Sequence, residues 1–90
     1  MTREMYLEMT YRHGKPLAGY IHLPRRDGDR VAHSQKAAPG LVVDYAADGR
    51  PIGLEITSPA TVSLQAINEL LLTLHQQTLT EAELAPLLAG

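Results

Sequence analysis

The run Leu41-Val42-Val43-Asp44-Tyr45-Ala46-Ala47-Asp48-Gly49-Arg50-Pro51-Ile52-Gly53-Leu54-Glu55-Ile56 reads as a strand, a tight turn and a returning strand. Alternating apolar residues flank Asp48-Gly49, which suits a turn because Asp tolerates turn geometry and Gly accepts positive φ at no steric cost. Leu41, Val43 and Tyr45 form one row and Ile52, Leu54 and Ile56 another, and cross-strand partners share a face. Pairing Val43 with Ile52 and Leu41 with Leu54 meets that condition and leaves a four-residue loop, Ala46 to Gly49, with Gly49 in the left-handed position. In this register Asp44 faces Pro51 and Glu55 faces Gly40. Pro51 has no N–H to give a ladder and belongs at the turn mouth or facing away from a partner strand.

Upstream, Met5, Leu7 and Met9 alternate with Tyr6, Glu8 and Thr10, the pattern of a strand with one wet side. Arg12 to Pro16 reads as a turn, and Leu17, Gly19, Ile21 and Leu23 then alternate with Ala18, Tyr20 and His22, giving a hairpin. A polar, turn-rich stretch from Pro24 to Asp29 leads to a weaker strand signal over Arg30 to Lys36, and Ala37 to Gly40 breaks the chain before the central hairpin. After Thr57-Ser58-Pro59 the apolar period changes from two to about 3.6. Leu64, Ile67, Leu71 and Leu74 share a helical stripe that Leu70 widens, with Gln65, Asn68, Glu69, Gln76 and Gln77 opposite. Ser63 is a natural N-cap, and Ser58 with Pro59 can open a preceding turn. Thr80 and Glu83 have capping-box spacing, which opens a second helix that Pro86 keeps short.

The 90 residues make one domain, 1–90, with a β-sheet part over 1–58 and a helical C-terminal extension over 59–90. The fold class is α+β: an antiparallel sheet of four or five strands followed by one amphipathic helix and a short C-terminal helix. At 44% hydrophobic and 20% charged the composition is that of a globular protein, and its four aromatics are all tyrosine, so the core is built from Leu, Ile, Val and Met. A net charge of -2 supplies no broad basic surface and disfavours nucleic acid as a partner. Without cysteine there is no disulfide, thiolate metal site or cysteine nucleophile. No apolar run has the length of a signal peptide or a membrane span, so the expected location is the cytoplasm and no membrane partner is expected.

Tyr11 through Tyr20-Ile21, followed by Asp44-Tyr45, Gly49, Gly53 and Glu55-Ile56, resembles the bacterial domain of unknown function 2283 family over about residues 9–58. The carboxyl half of that stretch matches well. The amino-terminal half departs, with Arg12 where the family usually has an acid and Gly14-Lys15-Pro16 in place of its acidic turn. The resemblance implies a compact antiparallel sheet and no established activity.

His13, His22 and His33 fall in the β half, but without the spacing of a metal motif, so neither a metal nor a cofactor is expected. His75 reads as a cation favoured by the carboxyl end of the helix. Asp44 and Glu55 point away from the apolar rows on adjacent strands, yet the register above separates them along the sheet; Asp44 is expected to accept hydrogen bonds from backbone or from Arg50. Arg25, Arg26, Arg30 and Lys36, interrupted by Asp27 and Asp29, read as a solvated loop. Ser34 and Ser63 lack a nucleophile context. The candidate ligand-binding group is Tyr20, His22 and Glu55 on the polar sheet face, and the turn residues are Asp48 and Gly49. Leucine is in excess of one sheet face, so Leu72, Leu79, Leu84, Leu87 and Leu88 are expected to form a self-association surface and the chain to be a homodimer. The function these features favour is a small cytoplasmic binding or regulatory protein acting through protein contacts, without catalysis and with an unidentified protein partner. The alternatives are a small ligand-binding protein or minor enzyme using the polar face, and an antitoxin-like partner of another protein.

Overall fold

The computed structural model describes residues 5–87. Five strands form one antiparallel sheet: β1 (Tyr6–Arg12), β2 (Lys15–His22), β3 (His33–Ala38), β4 (Leu41–Tyr45) and β5 (Pro51–Ile56), in the spatial order β1-β2-β5-β4-β3. The chain turns between β1 and β2 through His13 and Gly14, both at positive φ (52° and 77°). From β2 it then crosses the ends of β5 and β4 to reach the far edge. That crossing is held by hydrogen bonds from Leu23 N–H to Ile52 C=O (3.2 Å) and from Ala32 N–H to Tyr45 C=O (2.7 Å). Asp29, in the middle of the crossing, takes both terminal nitrogens of Arg50 at 3.0 and 2.7 Å.

The central hairpin turns where the sequence places it. Gly49 has φ +89°, its N–H returns to Ala46 C=O (3.0 Å), and Ala46 N–H meets Arg50 C=O (2.9 Å). The register differs from the expected one: Leu41 pairs with Ile56, Val43 with Leu54, Asp44 with Gly53 and Tyr45 with Pro51. Ile52 is the extra residue of a β-bulge, and its carbonyl turns aside to accept from Leu23 N–H and from Arg25 Nη2 (2.7 Å). The slip is by two residues from Leu41 to Asp44, so those side chains and their partners keep their expected faces, whereas Pro51, beyond the bulge, pairs with Tyr45 and not with Asp44. A second bulge, between Thr10 and Tyr11, leaves Leu17 unpaired, and Leu17 is 49% exposed instead of joining the apolar row.

All the helical cover lies on one sheet face. A single 3-10 turn (Pro59–Thr61) precedes helix α1 (Leu64–Thr73), whose N-cap Ser63 accepts Ala66 N–H. Helix α2 (Glu81–Leu84) opens on the full Thr80–Glu83 capping box and continues into a 3-10 turn, Ala85–Leu87, that contains Pro86. Ile67, Leu71, Leu79, Leu84 and Leu87 pack on Ile21, Leu23, Leu41, Val43, Leu54 and Ile56. Gly19 makes room for that cover, since a Cβ there would press on Leu87. Asn68, expected on the solvent side of the helix, is half-buried and braces the chain before α2: its amide donates to Leu79 C=O (2.9 Å) and accepts Leu79 N–H (2.8 Å).

The leucine surplus is largely absorbed inside the chain. Leu79, Leu84 and Leu87 are buried in its own core, which corrects their assignment to a surface between chains: the turn from α1 into α2 folds them back onto β1 and β2. Leu72 is 61% exposed, and Leu88 lies outside the described residues.

Candidate functional site

The sheet face opposite the helices carries two cross-strand rows. Successive Cα partners give Glu8–Tyr20–Glu55–Val42–Lys36 across β1, β2, β5, β4 and β3, and beside it Tyr6–His22–Gly53–Asp44–Ser34. Tyr20 and Glu55 are therefore direct partners, with His22 in the next row, and the three sequence candidates share one face. His33 does not join them: it sits in the register of the helix-covered face on edge strand β3, where it stacks on Tyr45 (centroids 4.9 Å apart). His13 is in the β1–β2 turn and His75 beyond α1. Among the described residues no group of three or more His, Asp or Glu stands close enough to hold a metal ion.

Asp44 organises this face. It is the buried charged residue among those described, and both of its oxygens are taken, Oδ2 by the Tyr20 hydroxyl (2.8 Å) and Oδ1 by the Ser34 hydroxyl (2.5 Å). The Tyr20 ring reaches Asp44 by lying across β5 at Gly53, where any Cβ would overlap it. Arg50, the expected partner of Asp44, bonds instead to Asp48 (2.7 Å) and Asp29. The true register places Asp44 and Glu55 in adjacent rows, closer than expected, and both Asp44 oxygens accept hydrogen bonds from Tyr20 and Ser34 and none from Glu55.

The phenol of Tyr20 is pushed up to about 12, first by burial and next by the Asp44 carboxylate, while Arg25 works in the opposite direction. It is a hydrogen-bond donor in structural use and not a base at neutral pH. His22 Nε2 lies 2.8 Å from Glu8 Oε1, and its ring is stacked on Tyr6 (4.2 Å) and edge-on to Tyr20 (4.7 Å). Glu8, Thr10, Tyr20, Glu55 and Thr57 border a hollow of about 190 Å³ on this face. A larger cleft of about 490 Å³ opens at the crossing segment; of its charged lining, Asp29, Asp48 and Arg50 are bonded to one another, and Arg30 forms no ion pair among the described residues. Asp29 is held down to about 2, chiefly by its hydrogen bonds from Arg50.

Sequence reasoning missed Gly53, Ser34 and the anchoring role of Asp44. The alternation around Asp44 assigns its face, but its partner Tyr20 is 24 positions away, and no local spacing marks such a pair. Glu8 and Tyr6 were legible as wet-side residues; their contact with His22 depends on the β1–β2 pairing.

Fold and face together define a two-layer α+β domain whose helices cover one side of an antiparallel sheet and whose other side is a bonded polar surface. Residues 18–58, from within β2 through β5, match the model of the family described as Protein of unknown function (DUF2283), so this segment is similar to that family. No curated protein and no solved structure matches the chain. Among the described residues, no helix is long and apolar enough to cross a membrane.

Proposed function

We propose that this is a small cytoplasmic binding or regulatory protein that works through protein contacts made by the exposed sheet face, without chemistry of its own. The observation that carries this reading is the state of the polar groups on that face. Tyr20, Asp44 and Ser34 are bonded to one another, and His22 is held by Glu8 and Tyr6, so these side chains are committed to holding the surface in shape and Glu55 is left as a single carboxylate on the hollow. General acid–base chemistry by a pair of groups needs a second one with a free lone pair or proton beside it. A small-molecule site also needs enclosure, and a 190 Å³ hollow falls below the ~300 Å³ at which such pockets begin. Aromatic and charged groups held rigid on an open surface serve instead as low-entropy contacts for another protein.

The test is native mass spectrometry of the chain recovered from its source cell beside two variants. Glu55→Arg alters the exposed face and should lose the bound protein, whereas Leu72→Asp, on the helical side, should keep it. Loss that follows Leu72 and not Glu55, or turnover of a small molecule abolished by Glu55→Gln, would overturn the reading.

A further inference from the structure

Resting on the reading of the exposed sheet face as a contact surface, we propose that its occupant is a second copy of this chain, docked face to face so that Lys36 of each copy enters the acidic hollow of the other. The two parts of this contact lie in one row of one face. Glu8 and Glu55 stand on either side of Tyr20 and border the hollow, and Lys36 ends the same row on the edge strand β3. Lys36 is exposed and forms no ion pair among the described residues, and Glu55 forms neither an ion pair nor a hydrogen bond there. The face thus presents an unspent cation and an unspent anion, separated across the sheet by Val42 alone.

A two-fold contact requires that residue i meet residue j and j meet i. An axis parallel to the strands and passing between β5 and β4 exchanges β2 with β3 and β5 with β4 across the interface. Lys36 then lies over Tyr20 of the other copy, with Glu8 and Glu55 each one strand spacing, about 4.8 Å, to the side. The ammonium meets an aromatic ring and two carboxylates at once. In the neighbouring row His22 comes over Ser34 and Gly53 over Asp44, so no like charges are set directly opposite. The helices lie on the other side of the sheet and leave the approach open. Four strands of about six residues give roughly 400 Å² of contact per chain, about 800 Å² in total, which is below the standard size and in the range of weak, transient contacts, so the dimer dissociates readily.

Sedimentation of the full chain between roughly 1 µM and 1 mM tests the proposal, because an interface of this size dissociates in that range. The wild type should pass from monomer to dimer, and added salt should weaken the association. Lys36→Glu and Glu55→Lys should each raise the dissociation constant by roughly 30-fold or more by placing like charges together. An equimolar mixture of the two variants should recover the wild-type association, since each altered residue meets its complement in the other chain. Circular dichroism of each variant confirms that the fold is kept, and Leu72→Asp should dimerise as the wild type does. A wild type that stays monomeric, a dimer indifferent to both charge reversals, a mixture that fails to associate, or a dimer lost in Leu72→Asp would each overturn the proposal. A monomeric wild type that still loses a protein partner on Glu55→Arg substitution would remove the second copy while leaving the contact surface standing.

Discussion

A methyl group at Gly53 would occupy the space of the Tyr20 hydroxyl, and this one steric fact couples three strands. Gly53→Ala must expel the ring, which strips Asp44 of a hydrogen bond while leaving its carboxylate buried, at a cost of roughly 2 to 3 kcal/mol. In a Tyr20→Ala background the same substitution meets no ring and should cost less than about 1 kcal/mol; a double-mutant cycle by urea unfolding reads the difference. Equal costs in both backgrounds would show that the ring does not rest on Gly53. Tyr20 also carries a pH signature. Its folded-state value of about 12 lies above the ordinary 10.0, so as pH rises the unfolded chain releases this proton first. Its contribution to stability is whole below pH 10.0 and is lost as pH climbs through about 12. Phenolate absorbance should show one tyrosine titrating near pH 12, in a step that Tyr20→Phe removes.

Between elements, two left-handed residues make opposite predictions. Gly49, at φ +89° with open space around it, closes the β4–β5 turn, so Gly49→Val introduces backbone strain without a clash and should cost about 1 to 3 kcal/mol in thermal or urea unfolding. His75, at φ +60°, ends α1 in a paired arrangement: its N–H reaches Leu72 C=O (3.0 Å) and that of Gln76 reaches Leu71 C=O (2.9 Å). Glycine is the residue this C-terminal motif favours, so His75→Gly should stabilise the protein by about 0.5 to 1 kcal/mol, the relief of strain exceeding the added freedom of the unfolded chain. A lower melting temperature in that variant would place the value of His75 in its side chain. The contrast marks what the sequence discloses. Ser63, Thr80 with Glu83, and Gly49 are legible because each acts on a donor or turn within three residues of itself. The register of the central hairpin is not, because the bulge at Ile52 is fixed by Leu23 and Arg25, which belong to the segment crossing from β2.

At the scale of the molecule, the family match covers the sheet from within β2 through β5, and the stability depends on what lies beyond it. The matched segment ends at residue 58, yet Ile21, Leu23, Leu41, Val43, Leu54 and Ile56 are buried with residues beyond it, from Val62 and Leu64 at its margin to Ile67, Leu71, Leu79, Leu84 and Leu87. Alternation in the sequence identified nearly all of those sheet positions, and helical periodicity identified Ile67 and Leu71 as their cover. What periodicity could not give was the fate of Leu79, Leu84 and Leu87, since a chain that reverses after His75 and returns over β1 and β2 is a tertiary event set by Asn68 and by the space at Gly19. The helical extension is therefore half of the core and not an appendage. Exposing six large aliphatic side chains at about 1.5 to 3 kcal/mol each removes roughly 9 to 18 kcal/mol. That equals or exceeds the whole stability of a typical small domain. A fragment of residues 1–58 should consequently show no cooperative unfolding transition and collapsed amide dispersion in a proton–nitrogen spectrum, although it contains every strand and the full matched segment. A cooperative transition in that fragment would mean that the sheet closes its apolar face by pairing with another copy, and the helices would then be competing for a surface that the isolated chain covers with its own leucines.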